Sequence, residues 1–210
     1  MKQILVPLLG QSGDRSALDA AAAFLKGHGG HIEAKLYRRN PRDVMPIVGE
    51  GFSASAIDQV MDAAEAAAKE QDKSVKATFD SWQSETGVEL GAAKPGSSAT
   101  TANLDSVVGP ILNTFTKRGR LADLIVFARP MAQGQPDRES LLEAAMMDTG
   151  KPVLLVPDDG TTTAGKTVIL AWNGSKEAAR AVSVAMPILA RADSVTVLTV
   201  KGGDVTSDPQ

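Results

Sequence analysis

One pattern occurs twice in this chain, and it limits the fold more than any other feature. Residues 4–38, ILVPLLGQSGDRSALDAAAAFLKGHGGHIEAKLYR, begin with a short apolar run and pass through a Gly/Ser turn. An Ala-rich helical stretch follows, then a segment alternating apolar and polar residues. Residues 169–201, ILAWNGSKEAARAVSVAMPILARADSVTVLTVK, repeat that order. Self-similarity of this kind sets the architecture before single elements are assigned. Each copy is one strand–turn–helix–strand unit.

Periodicity supports both copies. In the first, Ala17, Leu18, Ala21, Phe24 and Leu25 fall on one helical face, and in the second Ala178, Ala181, Val182, Ala185, Ile188 and Leu189 do the same. Gly27, Gly29 and Gly30 stop the first helix. Ile4-Leu5-Val6 is a continuous apolar run, the mark of a parallel strand covered on both faces.

Between the copies lie further strands and helices. Residues 53–85 read as one long amphipathic helix, or two in tandem, with Ile57, Val60, Met61, Ala64, Ala68, Val75, Phe79 and Trp82 as an inward stripe. Thr86-Gly87 ends it. Residues 91–102, GAAKPGSSATTA, read as a loop. A strand near Asn103–Val108, a short helix near Ile111–Lys117 and the strand Leu124–Ala128 follow. Then come a helix over 137–149, with Leu141, Leu142, Ala145 and Met146 inward, and a proline-bracketed strand, Pro152–Pro157. Strands alternating with helices predict a Rossmann-like α/β fold, an open parallel five-stranded sheet with helices on both faces. Residues 1–157 make one complete domain, 158–166 a polar linker, and 167–210 a partial second β-α-β repeat with a tail.

Composition removes several classes of function. The chain has no cysteine, which excludes disulfides, thiolate nucleophiles and cysteine zinc sites. Its net charge is −3 and only 4% of its residues are aromatic, so it lacks both the basic field and the stacking platforms of a nucleic-acid binder. The one basic cluster, Arg38, Arg39 and Arg42, reads as a solvated loop. No apolar run approaches the ~20 residues that span a bilayer, and the N-terminus has no signal-peptide form, so a cytoplasmic location is expected. His28 and His31 fall in a Gly-rich turn and are expected to face solvent. No HExxH, GxSxG or Walker lysine loop is present, and a non-enzymatic role is expected.

Ligands of open parallel sheets bind at the carboxyl ends of the strands, where strand order reverses. Three turns qualify. In Leu8-Leu9-Gly10-Gln11-Ser12-Gly13-Asp14 the glycines allow close backbone approach to an anion. Asp14 stands there as a helix cap whose carboxylate repels phosphate. The second turn, Trp172-Asn173-Gly174-Ser175, has a good N-cap in Ser175 with Lys176 beside it, and Trp172 reads as lid, core or stacking face. In the third, Ala128-Arg129-Pro130-Met131-Ala132-Gln133-Gly134-Gln135, Arg129 fits a phosphate or carboxylate bidentately, and equally fits a scaffold pair with Asp123 or Asp137.

The phrases ILVPLLGQSGDRSALDAA, LADLIVFARP, DTGKPVLLVP and VILAWNGSKEAARAV, in this order, resemble the universal stress protein superfamily, in a tandem form whose second repeat is truncated. The resemblance implies a stress-response protein that binds partners and forms a homodimer. ATP-binding members carry an Asp soon after the first strand, where this chain has Leu9 in one copy and Asn173-Gly174-Ser175 in the other. They also carry G-x2-G-x9-G-S/T after the fourth strand, of which residues 128–149 retain only Gly134. The expectation is a binding and dimerising protein without the standard phosphate loop and without a cofactor. The alternative is an adenine-nucleotide binder that holds ATP or AMP through Leu8, Leu9, Gly10, Arg129, Asn173, Gly174 and Ser175.

Overall fold

The computed structural model describes residues 2–38, 54–94, 96–129, 136–159 and 165–200. Most of the basic cluster (all but Arg38), residues 130–135 with Gly134, and the residues beyond Val200 lie outside the described residues. The chain divides into two compact units, Met1–Thr162 and Thr163–Gln210.

In the first unit the elements run β1 (Gln3–Leu8), α1 (Asp14–Leu25), β2 (Gly30–Arg38), α2 (Ala54–Thr86), β3 (Glu89–Leu90) and β4 (Thr100–Val108). Then follow α3 (Ile111–Gly119), β5 (Leu124–Ala128), α4 (Pro136–Asp148) and β6 (Val153–Val156). The sheet has the order β3-β4-β2-β1-β5-β6, and every neighbouring pair is parallel. The α/β parallel architecture is the expected one. The two-residue β3 adds a sixth strand at one edge.

Alternation along the strands divides the core between two faces. Ile4, Val6 and Leu8 of β1 join Leu18, Leu25, Phe79 and Trp82 beneath α1 and α2. Leu5 joins Phe115, Ile125, Phe127 and Leu141 beneath α3 and α4. Because β1 lies between β2 and β5, chain order reverses there, and a crevice is expected at its carboxyl end.

Four sequence readings change. The helix over 53–85 is a single helix about 50 Å long. Val75, Phe79 and Trp82 are buried as expected, but Val60 is 45% exposed and Ile57, Met61, Ala64 and Ala68 are only half-buried. The helix is longer than the strands it covers, so its first half outruns the sheet. β4 begins at Thr100, inside the expected loop, because paired threonines suit a strand. Met146 points outward and Ala144 packs inward. His31 is not in a solvent-facing turn: it is buried in β2, with Nδ1 at 2.8 Å from Thr101 Oγ1 and Nε2 at 2.8 Å from Asn103 Oδ1.

The second unit is a parallel β-α-β: β7 (Thr167–Ala171), α5 (Lys176–Leu189) and β8 (Ser194–Leu198). Ser175 caps α5, its Oγ accepting from the Ala178 N–H at 3.1 Å. No residue of α5 is fully buried and all of β8 is exposed, since two strands and one helix cannot enclose a core. Among the described residues no helix is long and apolar enough to cross a membrane.

Val126 sits in β5, fully buried against the α1 face. Val126→Asp should therefore unfold the first unit, because an unpaired buried carboxylate costs several kcal/mol. Thermal melting followed by circular dichroism checks this, and a cooperative transition near that of the parent would contradict the assignment of β5 as a central strand.

Candidate functional site

The turn after β1 lies at the reversal point of the sheet, and its backbone N–H groups are already taken. Asp14, at the start of α1, turns its carboxylate back over the turn. Its Oδ2 accepts from the N–H of Leu9 at 3.0 Å and of Gly10 at 2.8 Å. The opposite oxygen accepts from Arg138 of α4 at 2.9 Å, and the same guanidinium donates to the Ser12 carbonyl at 2.8 Å. Asp14 is 4% exposed and Arg138 2%. Burial pushes the Asp14 carboxyl above the usual aspartate value, while Arg138 and the N–H groups of Leu9, Gly10 and Gln11 pull against that rise.

Other contacts close the turn further. Gln71 of α2 donates to the Leu9 carbonyl at 2.8 Å. Ser16 Oγ donates to the carbonyl of Asp158, just beyond β6, at 3.0 Å. Gly13 has φ 88°, and a Cβ there would come within 1.9 Å of Asp158 Oδ1 and 2.5 Å of Ala128 Cβ. Only glycine fits between the ends of β5 and β6.

Asp14 therefore plays a different part from the helix cap expected of it. The N-cap of α1 is Gly13, which has no side-chain cap bond, and Asp14 is the first helical residue. Leu8 is buried in one core face and Leu9 in the other. Arg129, at the end of β5, is exposed and donates its backbone N–H to the Val156 carbonyl at 2.7 Å. Asp123 lies at the opposite end of β5, about 20 Å along the strand, so it does not serve as its scaffold partner. Asp123 instead accepts from the backbone N–H groups of Lys2 and Gln3. Arg138 escaped the sequence reading, and its only signal was that a carboxylate over the turn would need a cation.

In the second unit the turn Trp172–Ser175 is open. Asn173 Oδ1 accepts from the Ser175 N–H at 3.0 Å, and Gly174 takes φ 78°. Trp172, Asn173, Ser175, Ala178 and Leu198 line a concavity of about 460 Å³ at the carboxyl ends of β7 and β8. Glu177 also faces it, while Lys176 lies on the surface 3.7 Å from the Glu177 carboxylate. Among the described residues no cluster of three or more His, Asp or Glu could hold a metal ion.

No family model and no curated protein matches the sequence, but solved structures do. A universal stress protein from Archaeoglobus fulgidus DSM 4304 aligns over 97% of this chain and 68% of its own, with a TM-score of 0.57 and 16% identity. The chain has the universal stress protein fold. UspA from Lactobacillus plantarum aligns over 74% of this chain and 97% of its own, with a TM-score of 0.49 and 15% identity. On this universal stress fold the turn after β1 is closed from within, and the opening lies in the second unit.

Removing Arg138 would leave the buried Asp14 carboxyl without its cation. Arg138→Met should cost about 3–5 kcal/mol, and adding Asp14→Asn to it should recover a large part of that loss. Urea unfolding of the two single variants and the double variant measures the coupling; simple additivity would show that the pair does not act as a unit.

Proposed function

We propose that this chain is a stress-response protein of the universal stress type that acts by binding and self-association, not by catalysis, in the cytoplasm. The observation that carries the reading is the Asp14 carboxylate seated on the N–H groups of Leu9 and Gly10. Those N–H groups are therefore not free for an anion at the reversal-point turn, and a carboxylate already lies over it. Arg138, the buried cation nearest the turn, is committed to that same carboxylate.

A second reading rests on the other unit. The concavity beside Trp172 and Ser175 is large enough for a nucleoside, offers an aromatic ring, and lies at the N-terminus of α5. It supports adenine-nucleotide binding, with ATP or AMP as the ligand, through Asn173, Gly174 and Ser175. Glu177 at its wall disfavours a highly charged phosphate chain.

Under the first reading, millimolar ATP should leave the melting temperature unchanged. A ligand specific for the native state stabilises it by about 2.7 kcal/mol at a hundredfold excess over Kd. A rise in melting temperature, accompanied by quenching of Trp172 fluorescence and lost in Ser175→Ala, would instead establish the second.

Self-association draws support from β7 and β8, which leave Ile169, Val197 and Leu198 exposed. A two-fold axis lets each such surface cover its twin. Light scattering should report a homodimer for the full chain, and Ile169→Glu combined with Val197→Glu should convert it to a monomer. A dimer that survives both changes would place the contact elsewhere.

A further inference from the structure

Among the described residues, one edge of the six-stranded sheet is open over most of its length. β4 pairs with β2 along all nine of its residues, from Thr100 to Val108. On its outer side β3 pairs only with Thr101 and Ala102, and one further bond runs from the Gly91 N–H to the Ala102 carbonyl at 2.9 Å. The chain leaves the edge there, at a glycine with φ 147°.

The parity of the ladder fixes which groups remain. The Gly30 N–H donates to the Ala99 carbonyl and the Gly109 N–H to the Arg38 carbonyl. Odd-numbered residues of β4 therefore direct their N–H and C=O groups toward β2, and even-numbered residues direct theirs outward. Ala102 is satisfied by Gly91. Leu104, Ser106 and Val108 present three outward N–H and C=O pairs with no partner among the described residues.

A hollow of about 400 Å³ lies along the same line, between this edge and α2. Phe79, Leu90, Ala102 and Leu104 give it an apolar floor, and the Lys76–Asp80 ion pair, 2.8 Å long, stands at its rim. Leu90 is 55% exposed and Val108 52%, so the apolar surface reaches solvent at both ends of the open edge. Unpaired main-chain groups spaced along a strand, beside a hollow on one of its faces, are the two requirements for binding an extended peptide by strand addition.

We propose that the outer edge of β4 is a docking site for an extended peptide segment of another protein. The peptide continues the line of β3, pairs with Leu104, Ser106 and Val108 through its main chain, and places one branched aliphatic side chain in the hollow over Phe79. The length of the edge favours such a peptide over a second copy of this chain. Six residues span about 20 Å, too little strand to bury the roughly 1,200 Å² that a stable interface between folded copies requires. A flexible segment needs only the main-chain ladder and one anchoring side chain.

The test uses the full chain and a fluorescein-labelled octapeptide in which three valines alternate with threonines between terminal lysines. Fluorescence anisotropy should show saturable binding, and replacing the peptide threonines with proline should abolish it. In Ser106→Pro the outward N–H is lost while the ladder to β2 is kept, since residue 106 makes no bond to that strand. This variant should bind at least tenfold more weakly at an unchanged melting temperature. Leu90→Glu, at an exposed position on the hollow, should weaken binding similarly and tests the same edge if the proline variant fails to fold. Hydrogen exchange supplies an independent signature: on peptide addition the amides of Leu104, Ser106 and Val108 gain protection, while those of Asn103, Asp105 and Val107 are protected throughout. Absence of binding at 1 mM peptide overturns the proposal, as does binding indifferent to both substitutions. A dimer of the full chain that dissociates in Ser106→Pro overturns it in favour of a second copy as the occupant.

Discussion

The first unit depends on a negative charge that the chain supplies to itself. A carboxylate removed from water is tolerated only when its oxygens are satisfied and a cation stands close by. Asp14 meets both conditions, through Leu9 and Gly10 on one oxygen and Arg138 on the other. The arrangement joins the end of β1, the start of α1 and the first turn of α4, the last of them far from the others in sequence. It also dictates local backbone: the turn can wrap the carboxylate only because Gly10 and Gly13 take left-handed conformations, at φ 70° and 88°. The same N–H groups cannot serve a carboxylate and a second anion together, so the turn's donors are committed to the fold.

A second buried carboxylate shows how differently the opposite side of the sheet is treated. Glu33 on β2 accepts from Arg118 Nε at 2.7 and 2.6 Å and lies 3.0 Å from Lys35 Nζ. Burial opposes its ionisation, but the bonds from Arg118 and Lys35 prevail and hold the carboxyl below the usual glutamate range. Its stabilising effect is thus present above the ordinary glutamate value and is lost as pH falls through the lowered one. β2 carries His31, Glu33, Lys35 and Tyr37 on this face, and Ile32, Ala34 and Leu36 on the other. β4 matches the polar row with Thr101, Asn103 and Asp105. Here, toward the edge of the sheet, polar side chains other than the buried, unpartnered Tyr37 hydroxyl satisfy one another where β1 and β5 bury apolar ones.

These patterns explain what could be read from sequence. β1, β5 and β6 were legible because strands covered on both faces are continuous apolar runs, and α1 because its stripe is regular and glycine ends it. His31 was misplaced because the glycines before it read as a turn, although it is the first polar member of the alternation Glu33 and Lys35 continue. The first half of α2 has the stripe of a buried helix yet lies beyond the sheet: periodicity reports which face is apolar, not whether anything lies beneath it. In the site, Asp14 was visible as a carboxylate over an anion-binding turn. Arg138 was not, because its role is set by how α4 packs, and no local spacing encodes a contact spanning 124 residues. Asn173, Gly174 and Ser175 were legible as a capped turn, since an N-cap bond is a local event.

The polar groups of the first unit are engaged largely in its own interior. The reversal-point turn is closed by Asp14 and Gln71, the β2–β4 face by Arg118, Lys35 and Asn103, and the N-terminal end of the sheet by Asp123. Apart from a few buried side-chain atoms such as the Tyr37 hydroxyl and Trp82 Nε1, what remains unsatisfied among the described residues is main chain: three outward pairs on β4, beside a hollow floored by Phe79 and Leu90. The second unit shows the same property in apolar form, with an exposed β8 and an α5 that buries nothing fully. The side-chain chemistry is thus used largely internally, while a strand edge and apolar faces are left open among the described residues. Because Asp14 takes the donors of the reversal-point turn, the main-chain groups left open among the described residues lie at the margin of the sheet and not in its crevice.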